Sequence, residues 1–351
     1  MSAVHGALAG QDPAALRPAT HPSLYFIGVS TGHSSIMQVF PAWARHLGLG
    51  DVRIVGIDLP LHAPPADYRR VVQFLKTDPL SLGALVTTHK IDLYAACRDL
   101  FDEVDAYALA LGETSCLSKR RGRFVCHAKD PVSAGLAVDG FLPPGHFERT
   151  GAAAFLMGAG GASIALSCHL MQAARGADRP GRLVISDPSA QRLQEIARIH
   201  QALGALDIPC EYRLVDGSAG NDALLAQQPP GTLVVNATGL GKDRPGSPLS
   251  DAAEFPLRAV AWEFNYRGHL RFLDQARRQQ ASRGLQVEDG WTYFIHGWTR
   301  VIAEVFGIGI ATDGPGFDAL SRIAGQVHQP APSDAAMAAA TSHSHTTRRH
   351  S

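Results

Sequence analysis

Residues 153–163 read Ala-Ala-Phe-Leu-Met-Gly-Ala-Gly-Gly-Ala-Ser, an apolar run that breaks on Gly158, Ala159, Gly160, Gly161 and Ala162. A helical pattern then resumes through Ile164, Ala165, Leu166 and Leu170. In a strand, glycine turn and helix start of this kind, glycines let backbone N–H groups close on a pyrophosphate, and the helix dipole favours the anion. Such corners also carry glycine for packing alone, so the motif by itself leaves both readings open. Residues 181–187 read as the next parallel strand, with Asp187 at its end. An acid there accepts hydrogen bonds from the adenosine ribose and repels a 2′-phosphate. Pro188, Ser189, Ala190 and Gln191 follow, with no arginine among them, so NAD is the expected cofactor and NADP the less favoured one. The competing reading makes Asp187 a cap for the helix near Ser189.

A parallel sheet must hold these residues, and strand and helix signals alternate along the chain. Residues 24–29, 52–58 and 83–87 read as strands, with helices at 36–47 and around 68–76. Helices are expected at 91–101 and 103–109, and a hairpin from 112–117 and 123–130. Residues 233–238 and 259–264 continue the strand series, and 301–306 belongs to a late helix. The alternation places ligands at the strands' C-terminal ends.

Composition narrows the classes. At 351 residues the chain suits two domains of ordinary size. Lys+Arg and Asp+Glu each number 32, so the net charge of zero lends no electrostatic support to nucleic acid or an anionic membrane as partner. The five cysteines (Cys97, Cys116, Cys126, Cys168, Cys210) form no Cys-x-x-Cys pair, which argues against structural zinc and fits a reducing compartment. No apolar run approaches the roughly 20 residues that span a bilayer. The start of the chain lacks a secretory pattern, so a cytoplasmic protein without metal is expected. From His328 onward the chain is rich in Ala, Ser, Pro and His; His343, His345 and His350 fall in what reads as a solvated tail.

Several further landmarks occur in order. They are residues 28–37, Val86-Thr87-Thr88-His89-Lys90, residues 112–117, Ala128-Lys129-Asp130, the 158–162 glycine turn, Asn236-Ala237-Thr238, and Asp289-Gly290 onward to Gly307. Together, over about residues 24–307, they resemble the shikimate dehydrogenase family. Its patterns are Gly-x-Pro-x-x-His-Ser-x-Ser-Pro, Asn-Val-Thr-x-Pro-x-Lys, Gly-Ala-x-Asn-Thr-x, Asn-Thr-Asp, Gly-Ala-Gly-Gly-Ala, Asn-Ala-Thr and a last glycine-to-helix segment.

The resemblance implies an α/β fold: an N-terminal substrate domain on a parallel or mixed sheet, then a Rossmann dinucleotide domain, with a C-terminal helix packing back on the first. On that basis residues 1–22 are a disordered leader and 23–145, joined by 288–325, the substrate and catalytic domain. Residues 146–287 are then the dinucleotide domain and 328–351 a disordered tail. It implies catalytic roles for Lys90 and Asp130, with Ser34, Thr87, Ser115, Tyr266 and His296 at the substrate. It places Gly158, Ala159, Gly160, Gly161, Ala162, Asp187, Asn236, Ala237, Thr238 and Gly290 at the cofactor. Chemistry agrees on the pair: oxidising a secondary alcohol needs hydride departure and removal of the hydroxyl proton, which a lysine can exchange while a carboxylate orients it. A free lysine, at about 10.4, must be lowered by its site to act as a base near neutrality. The bland alternatives are a solvated lysine starting a helix and an N-cap before Pro131.

The departures bear on the substrate. The carboxylate loop keeps Ser34, but Ile36 and Met37 stand where a serine and a proline belong. Ser115 and Ala128 replace two asparagines, and the substrate glutamine falls on Gly297. Each missing hydrogen bond to a buried polar ligand group costs about 1–3 kcal/mol. His89, His127 and His296 are the candidate replacements. The expected activity is NAD(P)-dependent oxidation of a cyclic hydroxy acid, shikimate, quinate or a modified relative, as in aromatic amino acid biosynthesis, by a monomer or homodimer. The alternative is an inactive ligand- or NAD-sensing module on the same fold. A different dehydrogenase class finds no metal-ligand cluster and no Tyr-x-x-x-Lys pair to support it.

Overall fold

The computed structural model describes residues 10–204, 207–241 and 244–327. The histidine-bearing tail and the first nine residues of the expected leader lie outside the described residues. Leu24, Tyr25, Phe26 and Ile27 are buried on both faces of their strand, and a strand of that kind needs helices above and below. The first sheet comprises β1 (Ser23–Gly28), β2 (Arg53–Asp58), β3 (Ser81–Val86), β4 (Glu103–Val104), β5 (Cys116–Arg120) and β6 (Arg123–His127), ordered β2-β1-β3-β5-β6-β4. The pairings of β1 with β2 and β3 are parallel, β5 is antiparallel to β3 and β6, and β4 is parallel to β6. Between the strands run α1 (Ile36–His46), α2 (Pro65–Thr77), α3 (Lys90–Cys97) and α4 (Ala106–Leu111).

Helices α5 (Asp130–Phe141) and α6 (His146–Thr150) lead to a second sheet of β7 (Ala154–Met157), β8 (Leu183–Asp187), β9 (Cys210–Leu214), β10 (Leu233–Asn236), β11 (Val260–Glu263) and β12 (Gln286–Glu288). Its order is β12-β11-β10-β7-β8-β9 and every pairing is parallel. Helices α7 (Gly161–Leu170), α8 (Ala190–Ala202), α9 (Gly217–Leu225) and α10 (Arg271–Arg283) supply the crossovers. The strand order turns back at β7, which lies between β8 and β10, so the crevice of this sheet opens beside the β7–α7 turn.

The last helices, α11 (Trp291–Phe306) and α12 (Gly314–Val327), return to the first sheet. Trp298, Val301, Ile302 and Val305 of α11 pack with Leu24, Phe26 and Cys116, and Leu320 and Ala324 of α12 join the same cluster. The Trp43 indole of α1 donates to the Leu320 carbonyl at 2.9 Å. The two sheets are coupled through α5, which packs on both α7 and α11. Gly135 permits the first contact, because a Cβ there would run into the His169 ring of α7. Among the described residues no helix is long and apolar enough to cross a membrane.

Three expectations need correction. Residues 10–22 are not without structure. Gln11 donates to the Gly56 carbonyl and accepts from the Asp58 N–H, forming a parallel bridge that covers the exposed edge of β2, and the Ala19 N–H binds the Asp78 carboxylate. The helix expected at 103–109 is instead β4 followed by α4. Asp105 accepts from the Ala108 N–H and caps α4, while the two residues before it pair with β6. The helix expected through 101 ends at Cys97 and gives way to a 3₁₀ turn over Arg98–Leu100.

Glu304 fastens α11 to the β5–β6 hairpin. It accepts from Arg120 and from Lys129, each at 2.8 Å, with His127 at 3.7 Å. Burial alone would raise its pKa, but those hydrogen bonds outweigh it and pull the group down to about 2. A carboxyl depressed on folding stabilises above its unfolded value, and that contribution is lost as pH falls through the folded value. Glu304→Gln is therefore expected to lower the denaturation midpoint at pH 7, with the gap to wild type narrowing as pH drops from about 4.5 towards about 2. Denaturant titrations across that range check it; a gap independent of pH contradicts it.

Candidate active site

Strand β3 ends at Val86, and the chain turns through Thr87-Thr88-His89 before α3 begins on Lys90. Thr88 has φ 62°, a left-handed conformation costly for a β-branched residue, of order 1–3 kcal/mol. The turn is pinned on both sides, since Thr87 N–H donates to Ile27 and His89 N–H to the Thr87 carbonyl. Lys90 therefore stands at the head of α3, where the helix dipole opposes a cation. Asp130 supplies the compensation from the head of α5, where the dipole favours an anion. The Lys90 Nζ donates to Asp130 Oδ2, and the two side chains are 21% and 12% exposed. Burial by itself would lower the lysine's pKa, but Asp130 and Glu113 outweigh it and hold Lys90 above its ordinary value. The lowering expected of a lysine base is absent; this lysine is held as an ammonium.

Two further groups join the pair. Glu113 follows the Gly112 cap of α4, and the adjoining Thr114 N–H donates to the Lys90 carbonyl, fixing the segment against α3. The Glu113 side chain is buried, and its Oε1 has no hydrogen-bond partner among the described residues. Burial, opposed by Lys90 and aided by Asp130, pushes its pKa up to about 7. Its other oxygen lies 3.5 Å from where a Cβ on Gly161 would sit, so the carboxyl reaches from the first sheet's site to the head of α7. Tyr293 of α11 places its hydroxyl against Asp130; burial and both carboxylates keep the phenol neutral well above its usual range. The sequence reading missed both. Glu113 was legible as a carboxylate in the alanine position of the Gly-Ala-x-Asn-Thr pattern, whereas nothing local marks Tyr293.

The glycine turn also has the geometry of a binding loop. Gly158 has φ +99°, and a Cβ on it would meet the Ala237 carbonyl at 2.8 Å, so only glycine fits. Gly158, Gly160, Asp187, Ala237 and Thr238 line a crevice of about 230 Å³. Asp187 accepts from Ala159 N–H and Ser189 N–H, both at 2.8 Å, and ties the loop to the end of β8. The cap of α8 is Ser189, whose hydroxyl accepts from Arg192 N–H. The expected absence of arginine applies only to the residues directly after Asp187. Arg192 in the first turn of α8 and Arg244 beyond β10 line the same crevice.

A second cavity of about 410 Å³ opens between Gly28, Ser34, Thr87, Tyr266 and the apolar side chains of Phe26 and Trp298. Those two rings meet edge to face at 5.0 Å. Tyr266 interacts with Ser34 and Ser35, and Arg267, which sequence reading overlooked, brings a cation to the same wall.

Other expected site residues are engaged elsewhere. Ser115 accepts from Lys129 N–H at 2.7 Å and braces the approach to Asp130, with no face on either cavity. His296 is stacked on Phe317 with ring centroids 4.4 Å apart, and burial pulls it down to about 4. Its position two residues from both Phe294 and Trp298 turns it to the opposite face of α11. His127 bonds Ser118, and His89 bonds Tyr68, so none of the three histidines stands in for the family's substrate ligands. Asn236 spends its amide on Glu263 and Thr238, shaping the turn without lining the crevice. Gly290 is a packing glycine, since a Cβ there would run into the Phe264 carbonyl. Among the described residues no group of three or more His, Cys, Asp or Glu is placed to hold a metal ion.

No family model matches the chain. A shikimate dehydrogenase (NADP(+)) of Symbiobacterium thermophilum is 28% identical over 241 residues, which cover 66% of this chain and 73% of that protein. The shikimate 5-dehydrogenase of Thermus thermophilus, solved with NADP(H) and shikimate, superposes with a TM-score of 0.62 at 21% identity, covering 86% of this chain and 99% of that one. The quinate dehydrogenase of Corynebacterium glutamicum, solved with NAD, gives 0.64 at 19%, covering 86% and 98%. The resemblance read from the landmarks is upheld: the chain is similar to shikimate and quinate dehydrogenases, and its fold is theirs.

The pair makes a prediction independent of turnover. Desolvation is the largest influence on Lys90 and acts to lower it, so removing the Asp130 charge is expected to move its pKa down. Nitrogen-detected NMR of the lysine Nζ in wild type and Asp130→Asn measures this. An unmoved or raised value contradicts the assigned geometry.

Proposed function

We propose that this shikimate dehydrogenase-like chain catalyses reversible hydride transfer between a cyclic hydroxy acid and a nicotinamide dinucleotide. The carrying observation is the meeting of Lys90 and Asp130 within reach, through Glu113, of the glycine turn at the head of α7. In this reading residues 23–145 with 288–325 form the substrate domain and 146–287 the dinucleotide domain. The crevice fits the cofactor by its own shape: a Cβ on Gly160 would meet no protein atom within 4 Å, so the glycine leaves that side of the crevice open, and the head of α7 presents backbone N–H groups to a pyrophosphate. The dinucleotide, when bound, supplies the hydride acceptor.

The remaining work falls to side chains. The Lys90 ammonium donates a hydrogen bond to the substrate oxygen and stabilises alkoxide character as the carbon–hydrogen bond breaks. In the reduction direction Lys90 hands that oxygen a proton, and Asp130 holds the charge balance. Ser34, Tyr266 and Arg267 face the substrate carboxylate, with Arg267 compensating for the polar side chains that Ile36 and Gly297 replace. The apolar walls from Phe26, Phe294 and Trp298 suit a ring with a bare face, a modified or larger relative of shikimate or quinate. NAD is the favoured cofactor, because the Asp187 carboxylate lies in the crevice at the end of β8 and repels a 2′-phosphate. Arg192 and Arg244 favour the second reading, NADP, the cofactor in the name of the Symbiobacterium thermophilum relative.

The test is turnover on shikimate, quinate, dehydroshikimate and their amino analogues, followed by absorbance of the reduced cofactor. Lys90→Ala is expected to lower kcat by about 10²–10⁴ while leaving dinucleotide affinity nearly unchanged. An unaltered kcat removes Lys90 from the reaction, and dinucleotide binding without turnover on any substrate favours the sensing module. The kcat/KM ratio for the two cofactors is expected to favour NAD, and a preference for NADP overturns the role given to Asp187.

A further inference from the structure

Glu113 is the second carboxyl around a single cation, Lys90. Lys90 and Asp130 already form a neutral pair, and Lys90 has no second charge to give. Besides those two, the titratable groups that act on Glu113 or feel it are Tyr293 of α11, Cys168 of α7 and Cys126 of β6. None of these three is a cation. Glu113 is 3% exposed, with Oε1 buried and unpartnered among the described residues, and its carboxyl sits between the Lys90–Asp130 pair and the head of α7. A buried carboxylate in that state is costly unless a ligand completes it.

The inference rests on the dehydrogenase reading above. For hydride to pass to or from a carbon whose oxygen is at Lys90, the nicotinamide ring must lie on the Lys90 side of the α7 head, beside Glu113. The oxidised ring is a cation and the reduced ring is neutral. We propose that Glu113 is the residue by which this protein discriminates the two redox forms of its dinucleotide, its carboxylate supplying a counter-charge to the oxidised ring and nothing comparable to the reduced one. Glu113 is thereby a binding residue for the cofactor as well as a neighbour of the catalytic pair.

The preference depends on pH in a defined sense. The carboxyl, pushed up to about 7, is partly protonated near neutrality, so affinity for the oxidised form rises as pH increases through that value. Affinity for the reduced form stays nearly level. Lys90 and Tyr293 are shifted upward, and Cys168 and Cys126 are each pushed to about 12, so none of these titrates in that window.

The experiment measures dissociation constants for NAD⁺ and NADH, or NADP⁺ and NADPH if wild type binds those more tightly. Calorimetry on the full chain at pH 6 and pH 8 also reads proton release, in buffers of different ionisation heat. Glu113→Gln keeps the shape, and Glu113→Ala serves as a second variant should the amide disturb folding. The expected result is a shift of the oxidised-to-reduced affinity ratio towards the reduced form by about tenfold or more. Tenfold is the order for removing one charge about 10 Å from a cationic ring at an effective dielectric of about 20, and a shorter separation gives more. Proton release on binding the oxidised form should disappear with it. A ratio and pH profile unchanged in both variants overturns the inference while leaving the dehydrogenase reading intact. A wild-type chain that binds no dinucleotide overturns both.

Discussion

An ammonium and a carboxylate brought together at the heads of two helices are the constraint around which the first sheet is arranged. Lys90 begins α3 against the dipole, Asp130 begins α5 with it, and neither is well solvated. The pair persists only if the ends of β3 and β6 keep their relative positions. Much of the surrounding hydrogen bonding does that: Thr114 N–H on Lys90, Ser115 on Lys129 N–H, and a left-handed Thr88 held by its neighbours. Where the family pattern has an asparagine, the Ser115 hydroxyl holds the Lys129 N–H and so braces the approach to Asp130.

The second sheet contributes a simpler device. Its strand order reverses at β7, so the β7–α7 turn faces open space instead of a neighbouring crossover, and glycine keeps that space empty of side chain. Asp187 has a double part there, bracing the loop through the Ala159 and Ser189 N–H groups while lining the crevice. A carboxylate has lone pairs enough for both.

The alternating pattern and the glycine turn were legible because they are local: period, turn residues and short motifs lie within a few positions of one another. The strands and helices read from the sequence followed, apart from residues 103–109, where the Asp105 cap and pairing with β6 decided the outcome, and residues 98–101, where the helix gave way to a 3₁₀ turn. The leader looked featureless because it is held through its own backbone groups, Gln11 pairing with Gly56 and Asp58 and the Gly10 N–H donating to the Asp58 carboxylate, and these leave no signature in its side chains. The histidines misled for a related reason. A histidine two residues from the cleft-facing positions of a helix points away from the cleft, and three adjacent letters do not convey that. Tyr293 and Arg267 come to the site from a distant part of the chain, and only the fold brings them there. Glu113 was visible as a departure, but its meaning required knowing that no partner meets it.

The clasp between Trp43 and the Leu320 carbonyl joins the first long helix of the chain to the last. The sheet of β1 to β6 is consequently finished by residues far beyond its own last strand, β6 ending at His127 and α11 and α12 running to Val327. During synthesis the strands of the later sheet, all contiguous between Ala154 and Glu288, emerge complete before that clasp exists. The apolar surface of β1 around Leu24 and Phe26 must wait, uncovered, for α11. The half of the molecule translated first is the half that matures last, and its exposed strands are what a chaperone would meet in the interval.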